Sequence, residues 1–156
     1  MSDIVFLVGL PGTGKSTWVR ENYPDATIIS SDNIIEKIAE ETNSTYNAVF
    51  RTHMKEADKQ TFSEFAQAVN DDVETIVVDR TNMSTNSRNR FLSKIDINEH
   101  HLMAVVFCAP EKSEWDRRLD GRLGKTIPWE VIERMADSFE MPSKEEGFDV
   151  VQIVRS

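Results

Sequence analysis

Five short apolar runs alternate along the chain with longer stretches in which apolar residues recur every three or four positions. Unbroken runs of this kind read as strands buried on both faces, and the three-to-four spacing reads as helices with one apolar stripe. Strands are predicted over Ile4–Val8, Ala26–Ser30, Thr75–Val78, Leu102–Cys108 and Val150–Val154. Helices are predicted near residues 15–22, 32–42, 45–70, 85–96, 111–121 and 129–140. The longest has the clearest stripe, formed by Tyr46, Val49, Phe50, His53, Ala57, Phe65, Ala66 and Val69, with Ser44 as its candidate N-cap. Pro128 suits the first turn of the helix carrying Val131, Ile132, Met135 and Phe139. Alternation of this kind predicts an α/β fold with a five-stranded parallel sheet and helices on both faces. No repeat, low-complexity tract or linker divides the chain, so residues 1–156 read as a single domain.

The first strand runs into Gly9-Leu-Pro-Gly-Thr-Gly-Lys-Ser16, which fits G-x-x-x-x-G-K-[ST], and a helix opens at once through Thr17 and Trp18. In a strand–loop–helix setting the glycines let successive N–H groups turn inward around phosphates, and the helix N-terminus adds partial positive charge. Lys15 can reach the β and γ phosphates, and the Ser16 hydroxyl can ligate Mg²⁺. Gly9, Pro11, Gly12, Thr13, Gly14, Lys15, Ser16 and Thr17 are therefore the candidate ATP-binding residues, with ATP and Mg²⁺ the expected cofactors.

Ligands of open α/β sheets bind beyond the C-terminal ends of the strands, which selects the residues that can join this loop. Asp32 follows the second strand; it reads as a helix N-cap, as a general base taking a proton from an acceptor hydroxyl, or as both at once. Asp79 ends the apolar run Thr75–Val78 and is placed to hold Mg²⁺ directly or through water, or to cap the next helix. Arg118 and Arg122 are four apart on one predicted helix face, either two guanidinium forks suited to a γ-phosphoryl group or a solvated pair bonded to Asp116 and Asp120. Gly124 after them suggests a hinge or a helix end, as a lid would need.

A net charge of −9 argues against broad wrapping of nucleic acid. The distribution is uneven, with Arg80, Arg88, Arg90 and Lys94 falling in a stretch that has no acid, and Arg117, Arg118, Arg122 and Lys125 forming a second basic group. Two basic groups beside a phosphate loop favour a local anion site. No apolar run approaches a membrane span, and no basic region precedes the first apolar run, so neither a membrane partner nor a signal peptide is expected. The lone Cys108 reads as a buried small apolar residue, compatible with a cytoplasmic location, and His53, His100 and His101 lack metal-ligand spacing.

Taken in order, the loop at 9–17, Ile29-Ser-Ser-Asp32, Asp79-x-Thr-Asn82 with Arg88, Arg118-x-x-x-Arg122 ahead of Pro128, and Glu146-Gly-Phe148 resemble the kinase domain of polynucleotide 5′-hydroxyl kinases, within the small P-loop phosphotransferases. The resemblance spans roughly residues 3–155 and implies a P-loop kinase fold with an arginine-bearing lid. It also implies Asp32 as catalytic base and Arg122 as lid arginine, with Asp79 and Asn82 on the acceptor or metal side. Arg80 and Arg88 are expected beside the acceptor, and Glu146-Gly-Phe148 near the nucleotide base. Where that family carries an acceptor-binding arginine three residues after the Asp, this chain has Ile35, and Arg80 stands where a small or polar residue is usual. The Asp-x-Asp-Gly-Thr phosphatase motif of fused members is absent.

The function so implied is transfer of the γ-phosphate of ATP to the 5′-hydroxyl end of DNA or RNA, with nucleic acid as substrate and no protein partner indicated. Two alternatives stay open. One is a kinase of another hydroxyl, on a hydroxymethylated base of viral DNA or on a small molecule or nucleoside; the other is a nucleotide-dependent switch.

Overall fold

The structure is a computed structural model, described for residues 1–120 and 128–155. Among these, β1 (Asp3–Val8), β2 (Thr27–Ile29), β3 (Thr75–Val78), β4 (His101–Phe107) and β5 (Val150–Val154) form one parallel sheet in the order β2-β3-β1-β4-β5. The described α-helices are α1 (Lys15–Asn22), α2 (Ser31–Thr42), α3 (Tyr46–Asn70), α4 (Thr85–Leu92), α5 (Lys112–Asp120) and α6 (Trp129–Asp137). Each strand lies within a residue of its predicted edges, and the five-stranded α/β sheet is the predicted one.

The central strand β1 is buried on both faces, which is why it reads as an unbroken apolar run. On one face Ile4 and Phe6 pack with Ile76, Val78, Leu102 and Ala104 under Phe65 of α3 and Phe91 of α4. Phe6 meets Phe65, Phe91 and Phe148 edge to face, at centroid distances of 6.4, 6.0 and 5.6 Å. On the other face Val5 and Leu7 pack with Val77, Val105 and Val19 of α1. The chain leaves β1 towards β2 on one side and leaves β4 towards β5 on the other. This divergence opens a crevice at the C-terminal end of β1, where residues 9–14 emerge.

Several local expectations are corrected. Ser30, not Asp32, caps α2, its Oγ accepting from the Asn33 N–H at 3.3 Å. Thr45, not Ser44, caps α3, because the Ser44 N–H is drawn back to Ala39 O to close the end of α2. Helix α4 stops at Leu92 rather than near 96, since its last turn tightens through Lys94 N–H to Phe91 O and Ile95 N–H to Leu92 O. Helix α6 stops at Asp137, and the Glu140 N–H donates to Met83 O instead of continuing the helix. Cys108 lies one residue past β4 and is half-buried rather than buried.

Candidate active site

Gly12 and Gly14 hold φ of +76° and +91°, the left-handed region open to glycine, and this turns the loop back on itself ahead of α1. Gly14 is the N-cap of α1 and supplies no side-chain cap, so the first N–H groups of the helix stay open to an anion. The Lys15 ammonium lies over the loop, donating to Gly9 O at 2.6 Å and Leu10 O at 3.3 Å. Thr13 is buried and its hydroxyl donates to Leu10 O at 2.7 Å, so its side chain braces the loop from within. Gly9 sits behind the loop, where its N–H donates to Thr81 O at 3.0 Å and ties β1 to the segment after β3.

Helix α5 clamps the loop from outside. Trp115 Nε1 donates to Pro11 O at 2.7 Å, and Arg118 Nη1 donates to Gly12 O at 3.3 Å. Glu114 accepts from Arg117 and Arg118, and these hydrogen bonds hold its carboxyl below the usual carboxylate range. The Trp115 contact has no signature in the sequence beyond an indole one turn ahead of two arginines. Arg122, Gly124 and Lys125 lie outside the described residues.

Loop and strand ends open on one cleft of about 1330 Å³, lined by Pro11 to Thr17, Asp32, Asp79, Arg80, Thr81 and Arg118. That is larger than a typical site for one small ligand, leaving room for a nucleotide and an acceptor together. Asp32 is exposed in the first turn of α2, where Tyr46 Oη donates to its Oδ1. With Ser30 already capping the helix, this carboxylate is not committed to the cap. Ser16 and Asp79 both line the cleft and carry hard oxygen donors, the ligand type that Mg²⁺ takes. Among the described residues no group of three or more His, Cys, Asp or Glu residues forms a cage for a metal, so a cation here would depend on nucleotide phosphates for its remaining ligands.

Arg80 is half-buried against Phe62 and Phe91 and pairs with Asp58 of α3 at 3.2 Å. Burial pulls its guanidinium below the usual range, Asp58 opposes this, and nearby Arg90 adds to it. Arg90 and Lys94 flank the same Phe62 ring at 4.6 and 5.3 Å.

Two expected acceptor residues lie elsewhere. Arg88 is fully buried, its Nε and Nη2 engaging Glu146 at 2.9 and 3.1 Å while Asn82 O, Met83 O and Glu140 O accept its other protons. Asn82 is buried, and its amide donates to Leu7 O at 2.7 Å and Val78 O at 3.2 Å, stapling β1 to the turn after β3. Both hold the segment after β3 in place and neither lines the cleft. Glu146 and Phe148 likewise serve the fold, as the partner of Arg88 and as part of the aromatic core. Ile35 is buried between α2 and α3, so that position does not face an acceptor. The sequence reading missed Asn33, Glu36, Tyr46, Asn47, Phe50 and Arg51, which line the cleft beside Asp32.

Residues 4–142 match AAA_33, a family described as an AAA domain. Heterogeneous nuclear ribonucleoprotein U-like protein 2 of Mus musculus is 21% identical over 159 residues, covering 96% of this chain and 21% of the relative. The chain thus spans about a fifth of the length of that curated relative. Among solved structures, a chain of the Pnkp1/Rnl/Hen1 RNA repair complex is similar with a TM-score of 0.64 at 18% identity, covering 88% of this chain and 43% of that one. Kti12 of Chaetomium thermophilum, solved in complex with ADP-AlF3, gives a TM-score of 0.63 at 15% identity, covering 97% and 88%. A gluconokinase from Sinorhizobium meliloti gives 0.56 at 16% identity, covering 99% and 82%. At such identities the shared property is the fold, and it is the fold of P-loop kinases.

Proposed function

The chain belongs to the AAA_33 family of AAA domains, and from that premise we propose that it is an ATP-dependent kinase that phosphorylates a hydroxyl of nucleic acid, the 5′ end of DNA or RNA first among them. One observation carries this reading: Asp32 faces the same cleft as the phosphate loop while Ser30 caps its helix. A carboxylate so placed is available as a base.

In the proposed reaction, an acceptor oxygen attacks the γ-phosphorus, the bond to the β,γ-bridging oxygen breaks, and ADP leaves. Asp32 takes the acceptor's proton, with Tyr46 fixing its orientation. Lys15 and the open N–H groups of α1 bind the triphosphate, and Arg118, with Arg122, neutralises charge spreading over the transferred group. Ser16 and Asp79 would hold Mg²⁺, which would neutralise charge on the triphosphate when bound. The nucleic-acid acceptor draws support from the cationic Arg80 and Arg51 beside Asp32, and from structural similarity to a chain of an RNA repair complex.

The reading is tested with γ-labelled ATP and Mg²⁺ against 5′-hydroxyl DNA and RNA oligonucleotides, duplex DNA containing 5-hydroxymethyluracil, nucleosides and gluconate. Label at oligonucleotide 5′ ends is expected. Label confined to internal hydroxymethylated bases, or to nucleosides or gluconate, would replace the 5′-end reading by the corresponding alternative. Slow hydrolysis without any acceptor would indicate a switch.

A further inference from the structure

On the first two turns of α3, Tyr46 and Phe50 are four residues apart and so share a helix face. Their rings are stacked, with centroids 6.0 Å apart and planes at 29°. Phe50 nonetheless stays 43% exposed although the apolar stripe of α3 continues through buried Val49 and Ala57. Both rings line the cleft, flanked by Asn47 and Arg51. Tyr46 is bonded through its hydroxyl to Asp32, so one end of this aromatic pair is fixed at the proposed base. Arg51 is exposed and forms no ion pair among the described residues, in contrast to Arg80, which is held by Asp58.

An apolar flat surface, a cation beside it and a carboxylate at one end match the three parts of a nucleotide unit: base, phosphate and hydroxyl. We propose that Phe50, backed by Tyr46, is the platform on which a base of the acceptor strand stacks, and that Arg51 contacts the neighbouring phosphate. The platform occupies the role left open by Ile35, whose side chain is spent on the packing between α2 and α3. Stacking on an aromatic ring tolerates any base, and one or two phosphate contacts suffice to hold a strand end, so a chain of net charge −9 can bind it. This assignment rests on the nucleic-acid reading of the acceptor.

The test compares wild type, Phe50→Ala, Phe50→Trp and Arg51→Ala with a single-stranded 5′-hydroxyl oligonucleotide as acceptor. It measures KM for oligonucleotide and for ATP, together with the binding of the fluorescent oligonucleotide to the ADP-bound protein. Phe50→Ala is expected to raise oligonucleotide KM and Kd on the order of 10-fold or more while the KM for ATP holds, and Phe50→Trp is expected to restore both. Arg51→Ala is expected to weaken oligonucleotide binding and to lower the slope of log affinity against log salt by about one. If wild type labels the oligonucleotide but Phe50→Ala leaves its KM and Kd unchanged, the platform is wrong and the acceptor class stands. If wild type neither binds nor labels nucleic acid, the acceptor class is wrong and the platform falls with it.

Discussion

The two ends of the cleft are built by different means. At the phosphate end the main chain supplies the binding surface: Gly12 and Gly14 set the turn, α1 presents uncapped N–H groups, and Trp115, Arg118 and Thr13 brace the loop through its carbonyls. At the other end, the proposed acceptor side, side chains from two separate helices make the surface, with Asp32 on α2 joined by Tyr46, Phe50 and Arg51 on α3. A main-chain site tolerates one spacing of glycines and leaves a fixed motif. A side-chain site can be reassembled from many residues, which allows related folds to phosphorylate different acceptors.

The arginines draw the same distinction. Arg88 falls in a basic stretch whose sequence suggests an anion site, yet it is wholly buried and paired with Glu146. Arg118 is partly exposed on the cleft and paired with Glu114 at 3.1 Å.

The largest effect is expected at the phosphate end. Lys15→Ala should abolish phosphoryl transfer to every acceptor while far-ultraviolet circular dichroism and melting stay near wild type, because the ammonium lies on the loop and not in the core. A folded Lys15→Ala protein with near-wild-type turnover would remove the nucleotide assignment of the loop. A smaller but still large effect separates the arginines. Arg88→Ala should lower unfolding free energy by about 3–5 kcal/mol, since it leaves the Glu146 carboxylate enclosed without its partner. Arg118→Ala should leave stability close to wild type, because its pair with Glu114 is screened by solvent, while slowing turnover. Urea unfolding of the two variants checks this, and equal midpoints would erase the contrast.

What the sequence made legible follows the same division. The strands, their parallel arrangement and the loop rest on local patterns, an apolar run or a glycine spacing, and the structure agrees with them closely. Asp32 and Asp79 could be placed on the cleft from sequence because residues just past a strand's C-terminal end face the crevice side of such a sheet. Arg88 and Glu146 could not be paired by reading along the chain, because they are 58 positions apart and meet only when α4 packs beside the segment before β5. Phe50 falls in the apolar stripe of α3 by sequence, because periodicity assigns a face without saying whether a neighbour covers it. Its exposure on the cleft depends on where α2 ends and how the two helices meet.

The central claim is that Asp32 performs chemistry at one end of a cleft whose other end binds the nucleotide. Asp32→Asn tests it most directly, because the amide keeps the size of the side chain and Ser30 keeps the cap. The Kd for ATP by titration calorimetry and the turnover with an accepted oligonucleotide should part company. The Kd and the melting temperature are predicted to stay near wild type, and turnover to fall roughly 10²–10⁴-fold. Turnover that survives the substitution, or an ATP affinity that falls in step with it, would contradict the account.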